Sequence, residues 1–361
     1  MKNTSNPFKF GTLVEGDFFT DRVEELAKIS DIIHSENHLI LISPRRFGKT
    51  SLISKAVKQT DRPEIFLNLQ LITSISDFAT ELLKKVFKAY PFEKIKHSIL
   101  NFRIIPTISI NPVNNAVDIS FTPVASANPI LEDVLNLINH LGEKGDKPIV
   151  IFDEFQEIKI INKNLDKILR SIIQNHNHVN YVFLGSLESM MHEIFERKKS
   201  PFYHFGVVMY LSPICTKDFY DFLFQGFSKI KSQNLDQIIN EILNITNGHP
   251  YYTQQLAFYC FNAIKNDLFI SIDQVIQQII EEHNIDYERF WINLTLKERF
   301  LLIEMIQLKY GWIQRKEANI PPSTLYSAYK KLITNGFLIQ ISKNYQVEDP
   351  FFERWILEQR S

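Results

Sequence analysis

The chain has 361 residues, 45% of them apolar and 22% charged, and a formal net charge of −1. This composition excludes an intrinsically disordered chain, and the length predicts two or three domains because a single core stops growing near about 250–300 residues. The almost neutral charge gives no global electrostatic basis for binding nucleic acid or a membrane surface.

Cysteine content and hydropathy narrow the class of protein further. Cys215 and Cys260 are the only cysteines, which excludes a disulfide framework and a four-cysteine zinc site. No apolar run approaches the ~20 residues that a membrane-spanning helix needs, and no apolar segment of the signal-peptide kind follows the first six residues. We therefore expect a soluble, cytoplasmic protein without a membrane partner.

The first predicted element is a helix over 23–33, preceded by the lead-in Phe18-Phe-Thr-Asp-Arg22. Asp21 and Glu24 have the spacing of a capping box, in which two side chains satisfy free backbone N–H groups at a helix start. The spacing predicts that Asp21 caps this helix.

The next segment, His38-Leu-Ile-Leu-Ile-Ser-Pro-Arg-Arg-Phe-Gly-Lys-Thr-Ser-Leu52, predicts a buried strand, a tight turn and a helix start. The turn follows the phosphate-binding P-loop pattern G-x-x-x-x-G-K-[ST], with Ser43 in place of the first glycine. In that pattern Gly48 lets the backbone approach a phosphate, Lys49 reaches the β- and γ-phosphates, and the Thr50 hydroxyl ligates Mg²⁺. The residues assigned to nucleotide binding here are Ser43, Pro44, Arg45, Arg46, Phe47, Gly48, Lys49, Thr50 and Ser51.

The region between the two nucleotide motifs is less specific. A strand over 65–69 and a helix over 75–89 follow the P-loop, and a helix over 131–141 precedes the second motif. Residues 102–124 alternate weakly around Asn114-Asn115, which predicts a β-hairpin insertion with no assigned role.

The segment Pro148-Ile-Val-Ile-Phe-Asp-Glu-Phe-Gln156 predicts a buried strand that ends in two carboxylates. An aspartate at the carboxyl end of a strand, which we expect beside the P-loop strand, can hold Mg²⁺ through water. Glu154 is then placed to polarise an attacking water. The alternative is that both carboxylates cap the following helix, but their combination with a P-loop favours the nucleotide site.

A third strand over 181–185 ends at Ser186. Ser186 is a candidate contact of the γ-phosphate and equally a candidate N-cap of a helix over 187–195, and the two roles can coexist. With a further strand over 207–211, the alternation of strands and helices predicts an α/β fold with a three-layer parallel sheet.

The strands stop after Pro213. Helical spacing over 216–230, 235–246, 251–264 and 272–282 predicts an all-helical domain at 215–290, after a nucleotide-binding core at 1–214. Two helices over 295–308 and 323–335, then short strands over 337–341 and 345–348, predict a winged helix at 291–361. Its local charge is weakly positive, at Lys330, Lys331 and Lys343 among others, so a DNA partner and a protein partner both remain open.

Six segments of the chain have counterparts in one known group: Phe19-Thr-Asp-Arg-Val-Glu-Glu-Leu26, Ser43-Pro-Arg-Arg-Phe-Gly-Lys-Thr-Ser51, Phe152-Asp-Glu-Phe-Gln156, Phe183-Leu-Gly-Ser186, Gly248-His-Pro250 and Tyr345-Gln-Val-Glu-Asp-Pro-Phe-Phe-Glu-Arg-Trp355. They resemble the archaeal and bacterial AAA-type ATPases related to the STAND class. The resemblance implies an ATPase core, a helical lid and a winged helix, with ATP and Mg²⁺ as ligands. It also implies that Pro250 and the lead-in at 19–22 lie on either side of adenine.

One departure from that group concerns an arginine. Relatives often carry one after Ser-Pro-x-Tyr and use it on the γ-phosphate, whereas Ser200-Pro-Phe-Tyr-His-Phe-Gly206 has none. Arg197, or an arginine from a neighbouring subunit of a homo-oligomer, can substitute; such an arginine contributes about 10³–10⁵ in rate. The candidate catalytic residues are therefore Glu154, Lys49 and Arg197.

Three functions follow from these patterns. The leading hypothesis is an ATP-hydrolysing molecular switch whose nucleotide state couples the core, the lid and the winged helix. The alternative is a DNA-binding protein of the replication-initiator or transposition-helper type, whose nucleotide site controls assembly. A third hypothesis is a scaffold that binds nucleotide without turnover.

Overall fold

The computed structural model describes residues 5–110, 117–122, 124, 126–230, 234–269, 271–310, 322–341 and 344–359. Its contacts divide the chain into two compact units. The core unit consists of Arg22–Ser43 and Lys49–Leu211, and the C-terminal unit consists of Met1–Asp21, Pro44–Gly48 and Ser212–Ser361. The further division of the C-terminal region near residue 290 stays a prediction.

A five-stranded parallel sheet lies at the centre of the core unit. The strands of this unit are β1 (Leu39–Ile42), β2 (Glu64–Asn68), β3 (Thr107–Ile110), β4 (Val117–Ser120), β5 (Ile149–Asp153), β6 (Asn180–Gly185) and β7 (Val207–Tyr210). The parallel sheet has the order β2-β5-β6-β1-β7. Every residue of β1, β5 and β6 is buried, as expected of central strands covered on both faces. The predicted α/β fold is confirmed.

The order of the strands differs from the expectation at one point. Strand β6 lies between β1 and β5, because Leu39 pairs with Val182 while Ile149 pairs with Asn180. The prediction that the Asp153 strand lies directly beside the P-loop strand is therefore wrong. Alternation of strands and helices along the chain predicts parallel direction but not which strands become neighbours.

Amphipathic helices cover this sheet. The helices of the core unit are α1 (Val23–His34), α2 (Lys49–Lys58), α3 (Ile75–Ala89), α4 (Phe92–Ile99), α5 (Asn128–Glu143), α6 (Ile158–Ile161), α7 (Leu165–Ile173) and α8 (Glu188–Phe195). Helix α3, for example, buries Phe78, Leu82 and Val86 and packs against α5 and β2. Its N-cap is Ser74, whose side chain accepts a hydrogen bond from the backbone N–H of Asp77.

The start of α1 corrects the predicted capping box. The N-cap is Arg22, in the left-handed region at φ 69°, and its side chain makes no capping hydrogen bond. An N-cap residue directly precedes the first helical residue and usually has extended backbone. Arg22 occupies that position with left-handed backbone, so Asp21 does not act as the cap. The Arg22 guanidinium instead forms an ion pair of 2.7 Å with Glu25 in the first turn.

The predicted insertion is a β-hairpin. Strands β3 and β4 pair in antiparallel register, Ile108 opposite Ile119, and β4 packs against α3. Ile119 is buried in the core of the unit, so the hairpin is part of the folded body. The predicted turn at Asn114-Asn115 lies outside the described residues.

The C-terminal unit is mostly helical. Its elements are α9 (Thr216–Phe227), α10 (Leu235–Thr246), α11 (Pro250–Lys265), α12 (Ile272–Asn293), α13 (Leu296–Lys309), α14 (Pro322–Thr334), β8 (Leu338–Ile341), β9 (Asn344–Val347) and α15 (Pro350–Glu358). Strands β8 and β9 form an antiparallel hairpin, Leu338 opposite Val347. A continuous apolar core joins these helices to the hairpin and includes Phe8 near the start of the chain.

Two helices of this unit differ from the predicted pattern. Helix α12 continues to Asn293, well past residue 282, where the predicted helix ended. Tyr287 is buried in this extension and Trp291 packs against the same core, so helical spacing of apolar residues does continue past residue 282 and the prediction missed it. Helix α15 was not predicted; Asp349 caps it by accepting hydrogen bonds from the N–H groups of Phe351 and Phe352. Across the described residues, no helix is long and apolar enough to cross a membrane.

Candidate nucleotide site

The P-loop joins β1 to α2 through a buried serine and a buried lysine. The Ser43 N–H donates to the Gly185 carbonyl at 3.2 Å and so continues the β1–β6 ladder by one residue. Lys49, the first residue of α2, is 6% exposed, and its Nζ donates to the Ser43 carbonyl at 3.2 Å. The ammonium group is thus held beside the residue that follows β1, where its charge favours an anion.

The backbone of the loop is left-handed at two positions, Arg46 (φ 62°) and Gly48 (φ 83°). No heavy atom outside its chain neighbours lies within 4 Å of a Cβ built on Gly48. The glycine is therefore required by its conformation, and the space beside it is open to a ligand. Of the other assigned loop residues, Pro44 and Ser51 are buried and Arg45 is exposed.

The start of α2, the helix that follows the P-loop, lies close to the carboxyl end of strand β5. The Thr50 hydroxyl donates to Asp153 Oδ2 at 3.2 Å, although β6 separates the two strands. Burial raises the pKa of the Asp153 carboxyl, and Glu154 adds to the rise while Lys49 opposes it. A hydroxyl and a carboxylate this close fit Mg²⁺, a hard cation that takes one or two protein oxygens and completes its shell with water and phosphate oxygens.

No larger metal site competes with this pair. In the described part of the chain, no group of three or more His, Cys, Asp or Glu side chains could hold a metal ion. Mg²⁺ in nucleotide sites does not need such a group, because the substrate phosphates supply much of its shell. Thr50 and Asp153 are therefore the residues whose side-chain oxygens fit Mg²⁺.

The second carboxylate, Glu154, is held by two donors. Its Oε2 accepts from Ser186 Oγ at 2.5 Å and from Gln156 Nε2 at 2.5 Å. Ser186 does not cap α8: that helix begins at Glu188, and its N-cap is Leu187, which makes no side-chain hydrogen bond. The N-cap alternative for Ser186 is therefore wrong, and the hydroxyl lies beside the carboxylate instead.

These side chains form one group, which we name the strand-end cluster: Lys49, Thr50, Asp153, Glu154, Gln156 and Ser186. Sequence reasoning assigned every member except Gln156, which is 1% exposed. The signal was present, because Gln156 is a polar residue between the buried Phe155 and Ile158. Half-buried Glu188 was also missed; burial raises the pKa of its carboxyl and Lys49 opposes the rise.

Arg197 lies apart in its contacts. Its guanidinium forms an ion pair of 3.3 Å with Glu193 on the preceding turn, and its side chain is 64% exposed. An exposed i,i+4 pair of this kind contributes little to stability. No contact in the described residues joins Arg197 to the strand-end cluster, so its catalytic role stays a prediction.

The loop residues Pro44–Gly48 belong to the C-terminal unit and make long-range contacts there. Arg46 donates to the Tyr252 hydroxyl at 2.8 Å, and its guanidinium lies 4.8 Å from the centre of the Tyr251 ring. The Tyr252 hydroxyl donates in turn to Glu348 Oε2 at 3.1 Å. We name this group, completed by Asp349, the Arg46 cluster. Burial lowers the pKa of Arg46, but Tyr252, Glu348, Tyr251 and Asp349 raise it, and the net direction is upward.

Residues 248–250 form the cap of α11. A Cβ on Gly248 (φ 69°) would lie 2.5 Å from the Ile214 carbonyl oxygen, so only glycine fits. His249 is the N-cap; its Nδ1 accepts from the Tyr251 N–H at 3.3 Å, and its ring packs edge-on against Phe47 at 4.7 Å. Burial lowers the pKa of His249. Pro250 then occupies the first helical position, where its missing N–H is no loss.

The lead-in lines a cavity of about 530 Å³ in the C-terminal unit. Phe19, Thr20 and Asp21 line it together with Phe8 and with Phe222 of α9. Arg22, the last lead-in residue, belongs to the core unit. The adenine-side role of the lead-in and of Pro250 stays a prediction from the resemblance.

Solved structures share this fold. The Walker-type ATPase of Pyrococcus abyssi is similar with a TM-score of 0.68 at 18% identity, over 95% of this chain and 97% of that one. The Aeropyrum pernix ORC2 protein in ADPNP and ADP complexes is similar with a TM-score of 0.54 at 13% identity, over 98% and 99%. The Aeropyrum pernix ORC1 protein in complex with DNA has a TM-score of 0.51 at 11% identity, over 95% and 94%. At these identities the likeness establishes the P-loop ATPase fold alone.

Sequence comparison adds a relative and a family. An uncharacterized ATP-binding protein of Methanocaldococcus jannaschii is 24% identical over 178 residues, 49% of each chain. The chain therefore spans about half the length of that curated relative. A family model described as an ATPase domain predominantly from Archaea matches residues 19–256, which include the whole strand-end cluster. The match covers well over half of the chain, which therefore belongs to this family of archaeal ATPase domains.

Proposed function

We propose that this protein is an ATP-hydrolysing molecular switch of the AAA/STAND-like class. The observation that carries the proposal is the contact of 3.2 Å between Thr50 and Asp153, which brings the P-loop helix and the carboxylate strand to one edge of the sheet. Buried Lys49 and the paired Glu154 complete the groups that ATP hydrolysis needs.

Each member of the strand-end cluster has a distinct task in this proposal. Lys49 and the loop backbone bind the phosphates, and Thr50 and Asp153 would hold Mg²⁺, which neutralises phosphate charge when bound. Glu154 accepts a proton from the water that attacks the γ-phosphorus, so that ADP and inorganic phosphate are released. Ser186 binds the γ-phosphate or orients Glu154. Arg197, or an arginine of a second copy in a homo-oligomer, supplies the remaining positive charge.

The switch part of the proposal is supported by the Arg46 cluster. Arg46 stands in the phosphate-binding loop, yet its guanidinium is bound by Tyr252 and faces Glu348 and Asp349. A bound triphosphate competes for the same cation, because charge-assisted bonds to phosphate are as strong as those to carboxylates. Nucleotide binding and release would then change contacts of α11 and of the end of β9.

The test of ATP binding uses Lys49→Ala. We expect this variant to lose binding of a fluorescent ATP analogue by at least about 100-fold, because a buried charge-assisted phosphate contact is removed. Lys58→Ala is the matched control, since Lys58 is exposed on the same helix. Unchanged affinity in Lys49→Ala would remove the P-loop from the proposal.

A DNA-binding function is the second candidate. The fold is shared with an ORC1 protein whose structure contains DNA, and α13, α14 and the β8–β9 hairpin would form the winged helix. Two of its lysines are already paired inside the unit, Lys331 with Glu298 at 2.8 Å and Lys309 with Glu353 at 2.7 Å. Those pairs reduce the charge available for phosphates, and a salt-dependent gel-shift comparison of wild type with Lys330→Glu decides between DNA and a protein partner.

A further inference from the structure

We propose that Gln156 is a positioning residue for Glu154, whose amide acts with the Ser186 hydroxyl to hold the carboxylate in the orientation from which it takes a proton. This inference rests on the proposed hydrolysis of ATP. It adds a residue to which none of the sequence motifs assigned a task.

The position of Gln156 is unusual for an amide. It lies in the short 3-10 helix Phe155–Glu157, which follows β5 after Glu154, and is 1% exposed between buried Phe155 and Ile158. Phe155 packs against Phe183 and Phe195, so the turn is part of an aromatic core. An apolar side chain would meet the packing requirement at position 156 better than a glutamine does.

The contacts of the amide point to Glu154. Nε2 of Gln156 donates to Glu154 Oε2 at 2.5 Å, and Ser186 Oγ donates to the same oxygen at 2.5 Å. The two donors are themselves 3.5 Å apart. Three segments, the end of β5, the turn after it and the end of β6, thus meet at one carboxylate oxygen. A carboxylate accepts only, which fixes the amide with its NH₂ group towards Glu154.

The other end of the amide separates a positioning role from a purely structural one. Gln156 Oε1 is buried and has no hydrogen-bond partner among the described residues. A glutamine kept to complete a polar network would have both ends paired, since buried polar atoms are nearly always satisfied. Only the end that holds Glu154 is paired here, so the carboxylate is what the amide serves.

Glu154 itself needs such support. Its backbone is left-handed, with φ 53° and ψ 47°, an uncommon conformation for a residue with a Cβ. Strained residues of this kind persist where neighbouring groups fix them, and they concentrate at functional sites. The hydrogen bonds from Gln156 and Ser186 therefore fix the direction of the Glu154 side chain, which its backbone conformation alone does not fix.

The first experiment separates binding from turnover. Gln156→Met has a similar volume and no donor, and we expect kcat to fall about 10- to 100-fold while the Kd for a non-hydrolysable ATP analogue stays within about twofold. Gln174→Met, on the exposed end of α7, is the control and should match wild type. Wild-type kcat in Gln156→Met overturns the proposal, and so does a Kd that weakens as much as kcat falls.

The second experiment tests the contact without relying on hydrolysis. Gln156→Glu places two carboxylates together and should lower Tm below that of Gln156→Met. The exchange Glu154→Gln with Gln156→Glu restores one carboxylate and one amide, so Tm should recover while turnover stays lost. A Tm that does not recover rejects the contact. A wild-type protein that binds ATP without hydrolysing it contradicts the proposed function instead, and the Tm series still decides the contact.

Discussion

The strand-end cluster and the Arg46 cluster are both built around P-loop residues, and they differ in how their charges are balanced. In the strand-end cluster, burial and the neighbouring Glu154 raise the pKa of Asp153, and the charge of Lys49 opposes that rise. In the Arg46 cluster, one guanidinium is matched by two tyrosine rings and by the carboxylates of Glu348 and Asp349. In the proposed function a cation and phosphates would complete the first arrangement, whereas groups of the protein itself surround the guanidinium in the second.

The difference indicates two kinds of work. Burying carboxylates costs free energy, and a bound cation offsets that cost by neutralising their charge. Such an arrangement suits a reaction site. The Arg46 guanidinium already has tyrosine and carboxylate neighbours within the protein. Such a cation suits a contact that forms in one conformational state and is replaced by a contact with a ligand in another.

Two glycines in the left-handed region should differ most in how much stability their replacement costs. Gly248→Ala should cost about 2–4 kcal/mol, because its Cβ would lie 2.5 Å from the Ile214 carbonyl oxygen in addition to the left-handed strain. Gly48→Ala should cost only about 1 kcal/mol, since the left-handed backbone is its one penalty. Chemical denaturation of both variants measures the pair. Equal losses would show that the α11 cap is no more tightly packed than the P-loop.

A smaller effect compares the two adjacent loop arginines. Arg46→Ala removes the hydrogen bond of 2.8 Å to Tyr252 and the contact with the Tyr251 ring, and should destabilise the protein by about 1–2 kcal/mol. Both arginines are exposed, but Arg45→Ala removes no contact of this kind among the described residues and should stay within about 0.5 kcal/mol of wild type. Thermal unfolding without nucleotide measures both. If the two variants are equally stable, the Arg46 cluster holds nothing together.

The last comparison is a pH dependence at Asp349. Burial raises the pKa of Asp349 to about 6, Glu348 adds to the rise, and Arg46 opposes it. Between the ordinary value near 4 and this value, the folded state keeps a proton that the unfolded state has lost, so stability falls as pH rises through about 4–6.

Asp349→Asn keeps an N-cap side chain and removes this titration. Relative to the variant, wild type should lose about 2 kcal/mol of stability between pH 4 and pH 7, because one pKa unit corresponds to about 1.4 kcal/mol. Denaturation at both values measures the loss. Parallel curves for the two proteins would mean that Asp349 titrates normally and that the cluster does not bury its charge.

Most residues of the strand-end cluster could be predicted from the sequence, whereas the order of the strands could not. Lys49, Thr50, Asp153 and Glu154 lie in short apolar-strand motifs whose chemistry is local, so they could be assigned from spacing alone. The place of β6 between β1 and β5 could not, because order in a parallel sheet is decided by packing over the whole unit. The cap of α1 failed for a related reason, since one left-handed residue at Arg22 moved it.

The Arg46 cluster was beyond sequence reasoning for a simpler reason. Its hydrogen bonds join residues 206 and 96 positions apart, and no periodicity connects an arginine in a turn to tyrosines at a helix start. Gln156 stands as a polar residue between Phe155 and Ile158 in the sequence, but the structure is needed to show that its side chain is buried and therefore needs a polar partner. Polar contacts between residues far apart in the chain are therefore the part of this fold that could not be predicted from the sequence.

The most direct test of the central claim is Mg²⁺-dependent ATP hydrolysis by wild type and Glu154→Gln, measured together with binding of ATP. The variant keeps a side chain of the same shape beside Ser186 and Gln156 but cannot accept a proton from water. We expect binding within about twofold of wild type and kcat lower by at least about 100-fold. A Glu154→Gln protein that hydrolyses ATP at the wild-type rate would contradict the assignment of the strand-end cluster as the site of the reaction.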